Sequence, residues 1–160
     1  MRHLFFATAL LAPTFAWAQE DHDHRHHLAE LQGFRAVHAW TRATTAAEAL
    51  VFVELENRGT TTVLVEGAET DIADTVELVG IKLVDGEQSY FPLPPLPVEP
   101  GREMHLDPDG LAIRLTGLDR DLIKGSEFEM HLETSLGELE IHVSVQASDA
   151  RHHSHAGHSH

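Results

Sequence analysis

A chain of 160 residues that carries 26 acidic and 11 basic side chains has a formal charge of −15 with histidine neutral. Phosphate backbones and anionic lipid surfaces repel such a chain, which excludes nucleic acid as a partner and favours cations. The absence of cysteine also excludes disulfides, thiolate metal sites and thiol catalysis. Histidine is the strongest compositional signal: there are 14, and nine of them crowd into two short terminal segments.

Residues 1–18 read as a secretory signal peptide. Arg2 gives the basic start, a mostly apolar run extends from Leu4 to Ala12, and Ala16-Trp17-Ala18 has the small-x-small form that signal peptidase recognises. The run is too short to cross about 30 Å of hydrocarbon comfortably, so no membrane span is expected once the signal is removed. An uncleaved anchor is the alternative. Residues 19–31 follow, with His22, His24, His26 and His27 in EDHDHRHH. Without apolar periodicity they are expected to be flexible. Cleavage after Gln19 would place His22 third from a free amine, and that amine, two backbone nitrogens and the imidazole would form the square-planar set that Cu(II) and Ni(II) prefer.

Residues 32–147 suffice for one domain with a single core. In residues 48–58, Val51, Val53 and Leu55 alternate with Phe52, Glu54 and Glu56 before Asn57-Arg58-Gly59 makes a turn, the pattern of a half-buried strand. Residues 61–68 and 75–84 and the Asp85-Gly86 turn continue the rhythm. No segment has a 3.6-residue apolar stripe, so an antiparallel sandwich or barrel is predicted. Pro92, Pro94, Pro95 and Pro97 cannot donate ladder hydrogen bonds, which makes their segment an edge or a rigid crossover, with a proline-rich docking ligand as the alternative. Met104 and His105 are adjacent, so on a strand they face opposite ways, and Met104 reads as a core filler.

In residues 108–125, PDGLAIRLTGLDRDLIKG, a turn at Pro108–Gly110 feeds a strand with Leu111, Ile113 and Leu115 on one face, and a second turn is expected at Gly117. This stretch, together with Val37-His38-Ala39-Trp40-Thr41-Arg42 and Val76-Glu77-Leu78-Val79, resembles the periplasmic PCuAC copper chaperones across about residues 36–146. The resemblance implies a cupredoxin-like antiparallel β-sandwich or barrel, a periplasmic location and a link to cytochrome oxidase assembly. It also implies a Cu(I) site, but where the family carries His, His and Met this chain has Val79, Ala112 and Arg114. None of these can bind a soft ion, so the family's ligands are not transferred.

The final hairpin alternates Phe128, Met130 and Leu132 with Glu127, Glu129, His131 and Glu133, then Leu139, Ile141, Val143 and Val145 with Glu138, Glu140, His142 and Ser144. For both apolar sets to share a face, paired residue numbers must sum to an odd value. A loop at Leu136-Gly137, or over residues 135–138, would set His131 opposite His142 and Glu133 opposite Glu140. Directly opposed Cβ atoms lie about 4.5–5.5 Å apart, close enough for His131 and His142 to chelate one ion, although two exposed polar side chains are the plainer reading.

Residues 148–160 close the chain with His152, His153, His155, His158 and His160 in a second segment expected to be flexible. Alternating imidazoles in mobile chain can gather two to four around one ion; a solvated tail or a residual tag is the plainer alternative. Imidazole and carboxylate donors without thioethers favour Cu(II) over Cu(I), with zinc as the alternative. No nucleophile motif, HExxH or phosphate loop is present, so an enzyme is not expected. The expected function is periplasmic copper capture with delivery or buffering through the histidine-rich ends, with an acceptor such as a cytochrome oxidase assembly factor. A metal-independent interaction module, or a zinc buffer, is the competing reading.

Overall fold

The computed structural model describes residues 27–153, and every regular element in that span is a β-strand. β1 (Leu28–Leu31) and β2 (Phe34–Arg42) form a hairpin over Gln32-Gly33, whose φ values of 51° and 84° match the type I′ turn suited to twisted strands. This corrects the boundary drawn after residue 31. Residues 28–31 are a strand, in register from Leu28↔Val37 to Leu31↔Phe34, because Ala29 and Leu31 reach the core.

The chain continues through β3 (Glu48–Asn57), β4 (Val63–Glu69), β5 (Ala73–Val84), β6 (Glu87–Pro92), β7 (Leu96–Val98), β8 (Glu103–Leu106), β9 (Leu111–Leu118), β10 (Glu127–Thr134) and β11 (Gly137–Gln146). The hydrogen-bonded path runs β6-β5-β9-β3-β2-β11-β10-β4-β7, with β1 on β2 and β8 on β3. Pairing is antiparallel except between β11 and β2, which run parallel from Ser144↔Trp40 to Gln146↔Arg42. The path folds over so that Val51, Leu55 and Ile113 from one half meet Val65, Met130 and Ile141 from the other in a single core. The result is the predicted all-β sandwich. The proline run carries the chain from β6, at one end of the path, to the short edge strand β7 at the other, where Leu96 and Pro97 pair with β4. Met104 packs against the core as expected.

β2 does not keep one face inward. Its pairing with β3 holds from Phe34↔Asn57 to Val37↔Glu54 and resumes at Trp40↔Phe52, so His38 and Ala39 together oppose Val53. His38 has φ +54° and is the extra residue of a β-bulge. One extra residue inverts the alternation. Phe34, Ala36 and Ala39 therefore enter the main core, whereas Trp40 turns to the other face and joins a second buried cluster with Phe52, Val79 and Ala112.

Gly117 is not a turn. It lies within β9 at φ +73°, where its N–H and that of Leu118 both donate to the Ala47 carbonyl at 2.8 and 3.1 Å. A β-carbon there would strike the Asp74 side chain, so the left-handed position requires glycine on two counts. Asn57, 1% exposed at the end of β3, donates through Nδ2 to the carbonyls of Thr61 (2.8 Å) and Val98 (2.7 Å) and accepts from Gly59 N–H (3.0 Å). It ties the β3–β4 loop to the end of β7 with every side-chain polar atom satisfied. Asn57→Ala leaves those buried groups without partners and should cost about 2–3 kcal/mol in urea unfolding, against about 1–2 kcal/mol for Gly117→Ala.

Candidate metal centre

The positions where the resemblance expects soft ligands are closed. Val79 pairs with Ala112 across β5 and β9, both 1% exposed, and the Trp40 and Phe52 rings pack in the same cluster at 4.8 Å between centroids. Beside them, Arg114 donates to Glu48 Oε2 at 2.6 Å and lies 4.9 Å over the Tyr90 ring. The hydrogen bond to Glu48 holds the Arg114 guanidinium above its already high range. Arg42 adds a second cation, 5.8 Å from the Phe52 centroid. Val79 and Ala112 offer no donor atom, and the Arg114–Glu48 pair beside them supplies no soft ligand.

The β10–β11 hairpin closes differently from the expected register. Thr134 pairs with Gly137 around a two-residue loop, Ser135-Leu136, and paired numbers sum to 271. Thr134 Oγ1 donates to the Gly137 carbonyl at 2.7 Å and accepts from Leu136 N–H at 3.1 Å, and Gly137 takes φ +122°. These contacts select the loop that begins one residue earlier, and Leu136 packs against the core. His131 therefore faces Glu140, His142 faces Glu129, and Glu133 faces Glu138. His131 and His142 are diagonal neighbours, at a separation typically about 7–8 Å, instead of a directly opposed pair.

The outer face sorts these histidines into two separate groups. His131 joins Glu69 and Glu138, and His142 joins Glu129 and Glu140, each group having donor atoms within 4.8 Å of one another. His131 Nδ1 lies 3.9 Å from Glu138 Oε2 and His142 Nε2 3.7 Å from Glu140 Oε1. A third group, Glu54, Glu103 and His105, sits where β3 pairs with β8.

Of the terminal histidines, His27, His152 and His153 fall within the described span, whereas His22, His24, His26, His155, His158 and His160 lie outside the described residues. The His27 carbonyl accepts from His38 N–H at 2.8 Å, extending the β1–β2 pairing by one bond. At the other end, Arg42 Nε donates to the Ala150 carbonyl at 2.7 Å, and Ala150 packs against the Trp40 cluster. Residues 148–153 thus turn back onto the domain. His153 stacks on His38, with centroids 5.1 Å apart and planes at 23°, and meets His27 edge-on at 5.0 Å. His38, His105, His152 and His153 also line one open groove with Glu54 and Asp107.

Comparison with known proteins gives this arrangement its context. The sequence profile of the lipoprotein LpqE-like family matches residues 35–146. The chain belongs to the LpqE-like family. Its fold is that of the PCuAC domains: an apo PCuAC domain of PmoF2 superposes with a TM-score of 0.64 at 20% identity, over 79% of this chain and 99% of the other. A copper-bound form of the PmoF2 domain gives 0.64 at 18% identity over 76% and 98%. The CuI form of DR1885 from Deinococcus radiodurans gives 0.53 at 22% identity over 69% and 76%. A search of curated proteins returned no match.

Sequence reasoning about this LpqE-like chain passed over His38, because a lone histidine in an apolar strand carries no spacing signal and the bulge that exposes it is not encoded in periodicity. The corrected hairpin gives a sharp expectation. In an otherwise unchanged chain, His131→Ala and His142→Ala should affect metal affinity independently, with a double-mutant coupling energy near zero, because they belong to different groups. Strong non-additivity in calorimetric titration would restore the shared site.

Proposed function

We propose that this protein is a periplasmic, non-catalytic copper-handling protein that captures Cu(II) through imidazoles of its two histidine-rich ends and exchanges it with, or buffers it for, a partner. The observation that carries the reading is the meeting of the ends: His27 and His153, one from each terminal segment, are in ring contact on the domain surface. Neighbours of the same fold, described as copper-bound PmoF2 and CuI-DR1885, support a copper cargo. The donor set shifts the expected ion from Cu(I) to Cu(II), with Zn(II) as the competitor, since Val79 and Ala112 stand where the family carries His and Arg114 stands where it carries Met. The signal-like residues 1–18 support export, and the resemblance suggests a cytochrome oxidase assembly factor as acceptor.

The closed Trp40 cluster favours a second reading, in which the scaffold keeps only a docking role and the metal chemistry is lost. Titration of the mature chain with Cu(II) and, separately, Zn(II) distinguishes the two. Replacing His22, His24, His26, His27, His152, His153, His155, His158 and His160 with Ser should remove most of the stoichiometry and all of the tightest uptake. Equal uptake by that variant and the parent chain would sink the capture reading.

A further inference from the structure

We propose that His27, His38 and His153 form one folded three-imidazole site for a borderline divalent ion, Cu(II) or Zn(II), with His38 as its fixed member. The inference deepens the capture reading and rests on it. The three rings come from three separate segments: the residue before β1, the bulge of β2 and the returning terminal segment. Their centroids are 5.0, 5.1 and 6.0 Å apart. An ion bound at about 2.0–2.1 Å from each nitrogen stands roughly 3.2 Å from each ring centre, and tetrahedral angles then put the centroids about 5 Å apart. The two spacings that involve His153 already meet that requirement, and the His27–His38 pair, at 6.0 Å, would have to close slightly. Turning His153 about its side-chain torsions is the motion that would aim the nitrogens at one point.

Two further observations favour a ligand over simple ring packing. His27 Nδ1 is buried with no hydrogen-bond partner, a cost that a coordinated cation would relieve. His38 is held at φ +54° by pairing on both sides, β3 across the bulge and the His27 carbonyl on the other flank. A left-handed non-glycine residue persists only where its surroundings fix it, and here the fixed object is an imidazole presented beside two others. Three protein ligands also leave a fourth position open for a water or an acceptor's donor, as an ion in transit requires.

The test exploits the difference between a folded site and flexible chain. Imidazoles on a mobile tail bind an ion equally well in the folded and unfolded protein, so they leave the melting temperature unchanged; a site that exists only in the native state raises it. The measurement is thermal unfolding of the full mature chain, first in chelator and then with Cu(II) or Zn(II) salt at about a hundredfold excess over Kd. The proposal expects a rise on the order of 10 °C. It also expects that rise to be lost in His38→Asn, which tolerates the left-handed conformation, and in His153→Ala, which lies outside every strand. Each variant should melt with the parent in chelator, and its tightest affinity should fall by about 10–100-fold or more. The larger response between the two salts identifies the preferred ion. Uptake by the parent chain with no rise, or a rise that survives both substitutions, overturns the three-histidine site alone. Absence of any uptake by the parent overturns the capture reading and this site together.

Discussion

At His38 the β2 strand takes in one extra residue with left-handed φ, and the alternation of side chains along the strand inverts at that point. Before it, Phe34 and Ala36 face the main core; after it, Ala39 takes the inward place and Trp40 swings to the opposite face. Without the inversion, the even-numbered series would drive His38 and Trp40 into the core. The bulge thus sets two things at once. It supplies the indole around which Phe52, Val79 and Ala112 close a second cluster, and it leaves an imidazole at the rim where the two ends of the described chain meet.

The electrostatics divide the molecule in the same way. The region where the PCuAC resemblance expects Cu(I) is apolar and flanked by two guanidiniums, with Arg114 bound to Glu48 and Arg42 to the Ala150 carbonyl. A cation brought there would meet two guanidiniums, and the nearby Glu48 carboxylate is already engaged by Arg114, so restoring a soft site would require replacing that ion pair as well as adding ligands. Over β4, β10 and β11, by contrast, Glu69, Glu129, Glu138 and Glu140 surround His131 and His142. Arg42 links the two regions. Its guanidinium packs over Phe52 while its Nε holds residue 150, so the charge that disfavours a metal at the family's position also brings His153 beside His38.

Most strands were legible because period-2 alternation and turn residues were strong where they occurred: Val51, Val53 and Leu55 in β3, Asp85-Gly86 at the β5–β6 turn, and the proline run between β6 and β7. β1 escaped notice because four residues hold no period and Gln32-Gly33 is a weaker turn signal than Asn-Gly. The hairpin register failed for a definite reason. Hydrophobic parity allows any odd sum, so both 273 and the observed 271 keep Met130 and Ile141 inward, and only the Thr134 hydroxyl and the conformation of Gly137 choose between them. The histidines carrying the site were half visible. Composition pointed to the ends of the chain, but their meeting with His38 depends on a bulge, a backbone hydrogen bond and the Arg42 contact, none of which leaves a local pattern.

A site built from one fixed and two terminal ligands has a thermodynamic character unlike a rigid cage. The ordering entropy of the end segments must be met at binding, so affinity is lower than for three preorganised ligands, and each terminal imidazole can leave without disturbing the sandwich. What that sacrifices in retention it gains in exchange, because an acceptor can displace His153 first while His38 still holds the ion. The Arg42 contact to Ala150 limits the loss by keeping residue 153 near the bulge before any ion arrives. In the proposed site the bulge on β2 serves as the anchor of a clamp whose jaws are His27 and His153, and the closed apolar cluster beneath it keeps that anchor in register.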